Sequence, residues 1–247
     1  MEGWSEGEII HRQVWDNGLV TLRIAAEVQP FRAGQFFNLG LFAGDELIRR
    51  SYSASSAPGE PLEFFITKVD DGNLTPQLTD MPEGAKLYVE KRPLGFFTLE
   101  TIPPAGDLWL VSTGTGLGPF IAMLRTEEPW ERFDRVIVVH GVRRASHLAY
   151  AEELKERGRA HGNKLAYVPL VSREEPPPGV LHGRITQALT SGALEEAAET
   201  PLTPERSHLM LCGNPAMIEE LVPLLAARGL KRHRKKEAGH VSFEKYW

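Results

Sequence analysis

The chain has 247 residues, and its 42% hydrophobic content is enough to build a core in each of two domains of about 100–150 residues. A formal net charge of −5 gives no support to nucleic acid or a membrane surface as partner, because both call for a strongly basic face. A single cysteine, Cys212, excludes an intrachain disulfide and any Cys-ligated zinc site or iron–sulfur cluster within this polypeptide. It also points to a reducing, cytoplasmic setting. The segment Met1–Glu6 is acidic and lacks an apolar core, and no run approaches the roughly 20 apolar residues of a membrane span. The expectation is a cytoplasmic protein that is not exported.

In chain order, strands are expected over 20–28, 35–41, 47–53, 62–69 and 86–91, where apolar residues alternate or cluster between turns rich in Pro and Gly. Little helical periodicity precedes residue 100, so the first half reads as an antiparallel barrel or sandwich. Within it, Arg50-Ser51-Tyr52-Ser53 offers a cation, a flat ring and two hydroxyls. An aromatic ring can cover a planar heterocycle, a guanidinium can grip phosphate bidentately and a hydroxyl can bond a ring nitrogen, a set that suits a flavin dinucleotide. An edge strand with a packed Tyr and a solvated Arg is the plainer alternative. In Gly72-Asn73-Leu74-Thr75-Pro76, Thr75 reads as an N-cap and Pro76 as the first helical residue. The result is either a helix start able to receive an anion or a simple turn between strands. Residues 101–107, with Pro103, Pro104 and Gly106, form the expected linker between domains 1–100 and 108–247.

Beyond the linker the pattern changes to continuous apolar strands (108–112, 135–140, 165–172, 208–212) alternating with helices (120–125, 147–157, from 185, 216–228). That alternation argues a doubly wound parallel sheet covered on both faces, with ligands at the carboxyl ends of its strands. Thr113-Gly114-Thr115-Gly116-Leu117-Gly118-Pro119 follows the first strand as a candidate pyrophosphate loop, although it lacks the full G-x-G-x-x-G spacing. Where a free ribose hydroxyl would call for an acidic residue, the next strand ends in Arg143-Arg144, and Arg173 and Arg184 follow the two segments after it. Guanidinium groups there favour a 2′-phosphate, hence NADP over NAD. Cys212-Gly213-Asn214-Pro215 sits at the mouth of another strand, its thiol either facing that crevice or buried and inert. The basic run 231–236 is a solvated patch or a steering field for an acidic protein partner. The end of the chain carries Tyr246 and Trp247, aromatic rings that call for a flat or apolar cover. The eight histidines show no metal-ligand spacing, so no metal site is assigned.

These segments, together with Glu244-Lys245-Tyr246-Trp247 and in this order, resemble the ferredoxin/flavodoxin–NADP reductase family in its short bacterial form, from about residue 5 to the last. The resemblance implies a Greek-key β-barrel for FAD followed by the α/β domain for NADP(H). It implies that Tyr52 stacks on one flavin face, that Arg50 and the backbone of Gly72, Asn73, Leu74 and Thr75 hold the pyrophosphate, and that Ser53 approaches flavin N5. Ser51, Phe65 and Thr115 complete the implied FAD site. Tyr246 would shield the other flavin face, where the nicotinamide docks, and Trp247 would pack on the adenine. Cys212 and Glu244 would flank the hydride path. Thr113, Gly114, Gly116, Gly213 and Asn214 would line the NADP site, and Arg143 or Arg144, with Arg173 and Arg184, would bind the 2′-phosphate. The partners implied are the acidic carriers ferredoxin and flavodoxin, served by a monomer. A flavin reductase serving an oxygenase or a ferric chelate is the second enzyme reading, and a non-enzymatic flavin-containing subunit the third.

Overall fold

The computed structural model describes residues 2–246. By packing, the chain divides into two compact units, the first holding the residues up to Thr98 with Gly118–Thr126, the second Leu99–Leu117 and the residues from Glu127 onward.

The first unit contains β1 (Trp4–Asp16), β2 (Leu19–Ala25), β3 (Phe36–Ala43), β4 (Glu46–Ser53), β5 (Leu62–Thr67), α1 (Thr75–Asp80) and β6 (Lys86–Glu90). Its strands form an antiparallel sheet in the order β4-β3-β6-β1-β2-β5. A bridge between Ala54 and Phe64 links the exit of β4 to β5 at the opposite edge and closes the sheet into a barrel. The interior is filled from alternate positions, with Ile9, Leu22, Ile24, Phe37, Leu39, Phe64, Ile66 and Val89 among its buried residues. Phe37 meets Phe31 and Phe64 edge-on at ring-centroid distances of 5.4 and 6.4 Å, arrangements that add about 0.5–1.5 kcal/mol each beyond their buried area.

Strand β1 has no counterpart in the sequence expectation, and the register explains why. Bulges lie between Ile9 and His11 and between Val14 and Asp16, so the apolar residues of this long strand slip out of period two. The helix expected to start at Pro76 starts one residue earlier, with Leu74 at the N-cap and no side-chain cap. Thr75 Oγ1 is committed elsewhere: it accepts from the Val69 N–H at 3.0 Å and donates to the Val69 carbonyl at 3.3 Å, closing the loop onto its own base.

The second unit contains β7 (Asp107–Thr113). The chain then passes through α2 (Gly118–Leu124) of the first unit and returns with α3 (Glu128–Arg132), β8 (Arg135–Val142), α4 (Ala151–Ala160) and β9 (Leu165–Val171). After these come β10 (Leu181–His182), α5 (Ile185–Ser191), α6 (Ala193–Ala198), β11 (Ser207–Gly213), α7 (Pro215–Ala227) and β12 (Val241–Lys245). All its strands are parallel, in the order β10-β9-β8-β7-β11-β12. Consecutive residues Leu108–Val111 are all buried, as a sheet covered on both faces requires. One face carries Trp109, Val111, Ile137, Val139, Leu209 and Leu211 against α5, α6 and α7.

The packing division departs from the expected boundaries at 100 and 108. Residues 101–107 are not a loose strap, because the amides of Gly106 and Asp107 both donate to the Arg206 carbonyl within the second unit. Helix α2 packs with the barrel: Phe120 lies 5.9 Å from Phe97, and Arg125, just after the helix, donates to Glu63 at 2.7 Å and to the Ser55 carbonyl at 3.0 Å. Glu63 is buried, so that pair is a fixed point and not a screened surface contact.

Two histidines are buried in the parallel sheet. Burial pushes His140 down to about 4 from its ordinary 6.5, aided by His147, and pushes His208 down to about 3, aided by His233, His240 and Arg132. The unfolded chain therefore takes up these protons first as the pH falls. Stability from this source is complete above pH 6.5 and drains away toward the folded-state values. Urea unfolding at about pH 5 is expected to show a loss on the order of 2 kcal/mol per histidine relative to pH 7.5, with His208→Gln removing part of it. A pH-independent unfolding free energy across that range contradicts the assignment.

Candidate functional site

Strand order reverses between β7 and β11, so their carboxyl ends form the switch point where open α/β sheets bind ligands. Here the two chain exits press together. A Cβ on Gly116 would lie 2.5 Å from the Cys212 carbonyl oxygen, and one on Gly213, at φ +122, would lie 2.5 Å from Thr113 Oγ1. Only glycine fits at either place. Thr113 Oγ1 accepts from the Asn214 N–H at 2.9 Å, and Asn214 Oδ1 accepts from the Ala216 N–H at 2.9 Å to cap α7. Gly114, at φ +53, faces open space. Of the glycines expected to admit a phosphate, Gly114 therefore has the room, while Gly116 and Gly213 join the two loops to each other.

One layer of the sheet collects the polar groups. The register sets His140 beside Ser112, Ser112 beside Cys212, and Cys212 beside Glu244. Cys212 is fully buried, and burial followed by the nearby Glu244 carboxylate pushes its thiol well above the ordinary value. Hydrogen bonds from Tyr246 and from the Gly213 backbone act in the opposite direction. The thiol is neutral at physiological pH. Tyr246 is held where it is by its backbone as well, its N–H donating to the Gly213 carbonyl at 3.0 Å.

At the other end of the same edge stand the arginines. Ser172 and Arg173 donate backbone N–H groups to the carbonyls of Val142 and Arg143, and Gly183 donates to Val171, so the exits of β8, β9 and β10 are laced in sequence. Arg143, Arg144, Arg173 and Arg184 are all exposed there, and among the described residues none has a carboxylate within ion-pair distance. Glu174 accepts from the Ala145 N–H at 2.7 Å and ties the Arg144 turn to the Arg173 loop.

In the barrel unit, β4 pairs with β3 so that Tyr52 stands opposite Phe37 and Arg50 opposite Leu39, on the core-facing side. Arg50 is exposed, while Tyr52 is half-buried, its hydroxyl sealed with no partner among the described residues, and burial pushes it up to about 12. Ser53 and Phe65 are buried, and Ser51 Oγ donates to Asn38 Oδ1 at 2.7 Å. In the segment 72–75, Leu74 is buried, Asn73 exposed, and Gly72 and Thr75 half-buried. Trp247 lies outside the described residues.

Residues 110–222 match the model of the oxidoreductase NAD-binding domain. Over 249 aligned residues the chain is 37% identical to flavodoxin/ferredoxin–NADP reductases of Escherichia coli and Shigella flexneri, with 100% of each chain covered. It belongs to the flavodoxin/ferredoxin–NADP reductase family. A ferredoxin–NADP reductase of Pseudomonas aeruginosa is 40% identical over 210 residues, 81% of this chain and 80% of that one. The crystal structure of a ferredoxin NADP+ reductase from Neisseria gonorrhoeae with bound FAD and NADP matches with a TM-score of 0.93 at 31% identity, covering 99% of both chains.

For this member of the flavodoxin/ferredoxin–NADP reductase family, the sequence expectation missed the element that presents Glu244 and Tyr246. They sit on and just after β12, an added parallel strand whose alternation of buried Val241 and half-buried Phe243 was the available signal. The basic run 231–236 belongs to the hairpin entering β12, at the amino edge of the sheet and so at the opposite end from the Cys212 layer. The single thiol of the chain is also the residue most easily interrogated. Iodoacetamide at pH 8 is expected to label Cys212 at least about tenfold more slowly in the folded protein than in denaturant; equal rates contradict a buried neutral thiol.

Proposed function

We propose that the chain is an FAD-dependent ferredoxin(flavodoxin)–NADP reductase, working as a cytoplasmic monomer with an acidic ferredoxin or flavodoxin as its electron carrier. No helix among the described residues is long and apolar enough to cross a membrane. The observation that carries the reading is the carboxyl edge of the parallel sheet, with exposed arginines at the β8–β10 end and thiol, carboxylate and tyrosine at the β11–β12 end. From β9 to β11 is three strand spacings, roughly 14 Å, which is the scale of an extended dinucleotide.

The residues fit both cofactors. Among the described residues the sealed Tyr52 hydroxyl has no hydrogen-bond partner, and the arginines have no carboxylate within ion-pair distance to compete with a phosphate. When bound, FAD supplies hydride exchange with NADP(H) and single-electron exchange with a protein carrier. In this reading Tyr52 covers one face of the flavin ring and Tyr246 the other, with Trp247 on the adenine. Arg50 and the backbone of 72–75 hold the FAD pyrophosphate, and Ser51, Ser53, Phe65 and Thr115 line its site. Thr113, Gly114, Gly116, Gly213 and Asn214 form the pyrophosphate loops for NADP. Arg143, Arg173 and Arg184 take the 2′-phosphate, with Arg144 beside them. The work of Ser53, Cys212 and Glu244 is to orient the nicotinamide, a positioning task for which a neutral thiol is suited. Since Tyr246 is bonded to Cys212, it has to swing aside before a nicotinamide ring reaches that layer.

The direct test is anaerobic mixing with NADPH followed by stopped-flow transfer to the host's ferredoxin and flavodoxin. Bleaching of the flavin and rapid transfer are expected, and a flavin that stays oxidised sinks the reading. Replacing Arg143, Arg173 or Arg184 by Ala is expected to raise KM for NADPH by about 10–100-fold each, the worth of one charge-assisted hydrogen bond, with NADH unaffected. Equal effects on the two nucleotides count against a 2′-phosphate site. Tyr246→Ser is expected to tighten NADP+ binding, and unchanged affinity in a titration rules out the displacement step.

A further inference from the structure

The layer that holds Cys212 and Glu244 begins two strands earlier, at a residue with no place in the scheme above. His140, near the carboxyl end of β8, is fully buried, and its Nε2 lies 3.1 Å from the Gly114 carbonyl oxygen. A carbonyl only accepts, so Nε2 carries the proton and donates. Nδ1 is then a bare acceptor, and it is sealed from solvent with no partner among the described residues. An unpaired buried acceptor is unfavourable, and an aliphatic side chain would fill the same space without it. The imidazole is therefore kept for its other nitrogen.

What that nitrogen holds is the open end of the nucleotide loop. Gly116 gains support from its seat on the Cys212 backbone, whereas Gly114, at φ +53, has open space where a Cβ would be. The link to His140 supplies that support from the β8 side. Because a trans peptide sets C=O and N–H antiparallel, drawing the Gly114 carbonyl toward the imidazole turns the Thr115 N–H the opposite way.

We propose that His140 is a positioning residue for NADP binding: its Nε2–H, donated to the Gly114 carbonyl, sets the conformation of the loop 113–117 before the dinucleotide arrives. The inference rests on the reading of that loop as the NADP pyrophosphate site. Burial keeps the ring neutral at neutral pH, with His147 the titratable neighbour that acts on it and the buried thiol of Cys212 and the Glu244 carboxylate further along the layer.

The test uses the FAD-loaded full chain and NADP+ titrated by calorimetry at neutral pH, with flavin content checked by absorbance. His140→Leu removes the donor, whereas His140→Gln places an amide N–H at the reach of Nε2. Expected are about tenfold weaker NADP+ binding for H140L, recovery by H140Q to within about threefold of wild type, and unchanged flavin content. Nitrogen-15 NMR of the wild-type protein is expected to show a neutral ring protonated at Nε2 for the signal absent from H140Q. A ring protonated at Nδ1 overturns the proposal, and this arm holds even if H140L does not fold. Equal weakening in H140L and H140Q overturns it too, as a mere packing loss. If both bind as wild type while Gly114→Val weakens binding, the proposal fails and the loop assignment stands. If Gly114→Val also binds normally, the loop does not hold the dinucleotide and both fall.

Discussion

The carboxyl end of β11 is held from both sides, and the rest of the site is built against it. On one side the Gly116 turn rests on the Cys212 backbone and Gly213 packs on Thr113. On the other, β12 pairs in parallel so that Glu244 stands level with Cys212 and the Tyr246 amide bonds the Gly213 carbonyl. These are backbone approaches, so they leave little rotamer freedom to be lost when a ligand binds. A thiol, a carboxylate and an aromatic ring are presented together with no loop needing to order itself first.

The same edge separates two kinds of chemistry by strand count. Toward β8–β10 it carries exposed guanidinium groups that have no carboxylate within ion-pair distance among the described residues. At β7, β11 and β12, Ser112 and Cys212 are dry and burial keeps the thiol protonated. In the proposed reading, a dry, protonated thiol at one end and exposed guanidinium groups at the other suit a ligand that is a flat ring at one extremity and a phosphate at the other. The barrel shows a related contrast within one strand, where Arg50 is exposed while Tyr52, two residues on, has its hydroxyl sealed from solvent.

Much of this was legible from residue types and spacing. Continuous apolar runs such as Leu108–Val111 and Val136–Val139 announce a parallel sheet because both faces are covered, and the glycines after β7 announce a close backbone approach. What such spacing leaves open is which neighbour a glycine approaches: Gly116 is tight for the sake of Cys212, nearly a hundred residues later. β1 was hidden by its two bulges, and β12 by a basic segment ahead of it that reads as solvated chain. Helix α2 looks from its place in sequence like part of the nucleotide domain, yet the Arg125–Glu63 pair joins it to the barrel through a partner 62 positions away, which no local pattern encodes. Side-chain commitments were equally out of reach. The Thr75 hydroxyl belongs to Val69, and the Asn214 amide oxygen to the first turn of α7.

The central claim is that the final strand carries Tyr246 onto β11 as part of the folded sheet. Amide hydrogen exchange at Tyr246, measured in the FAD-loaded protein without nicotinamide nucleotide, tests it most directly, since that N–H donates to the Gly213 carbonyl at 3.0 Å. Exchange at least about a hundredfold slower than in an unstructured chain is the result expected of a hydrogen-bonded strand extension. Exchange at the unstructured rate would mean that the tail is not held there, and that the alignment of Tyr246 with Cys212 and Glu244 is not a property of the fold.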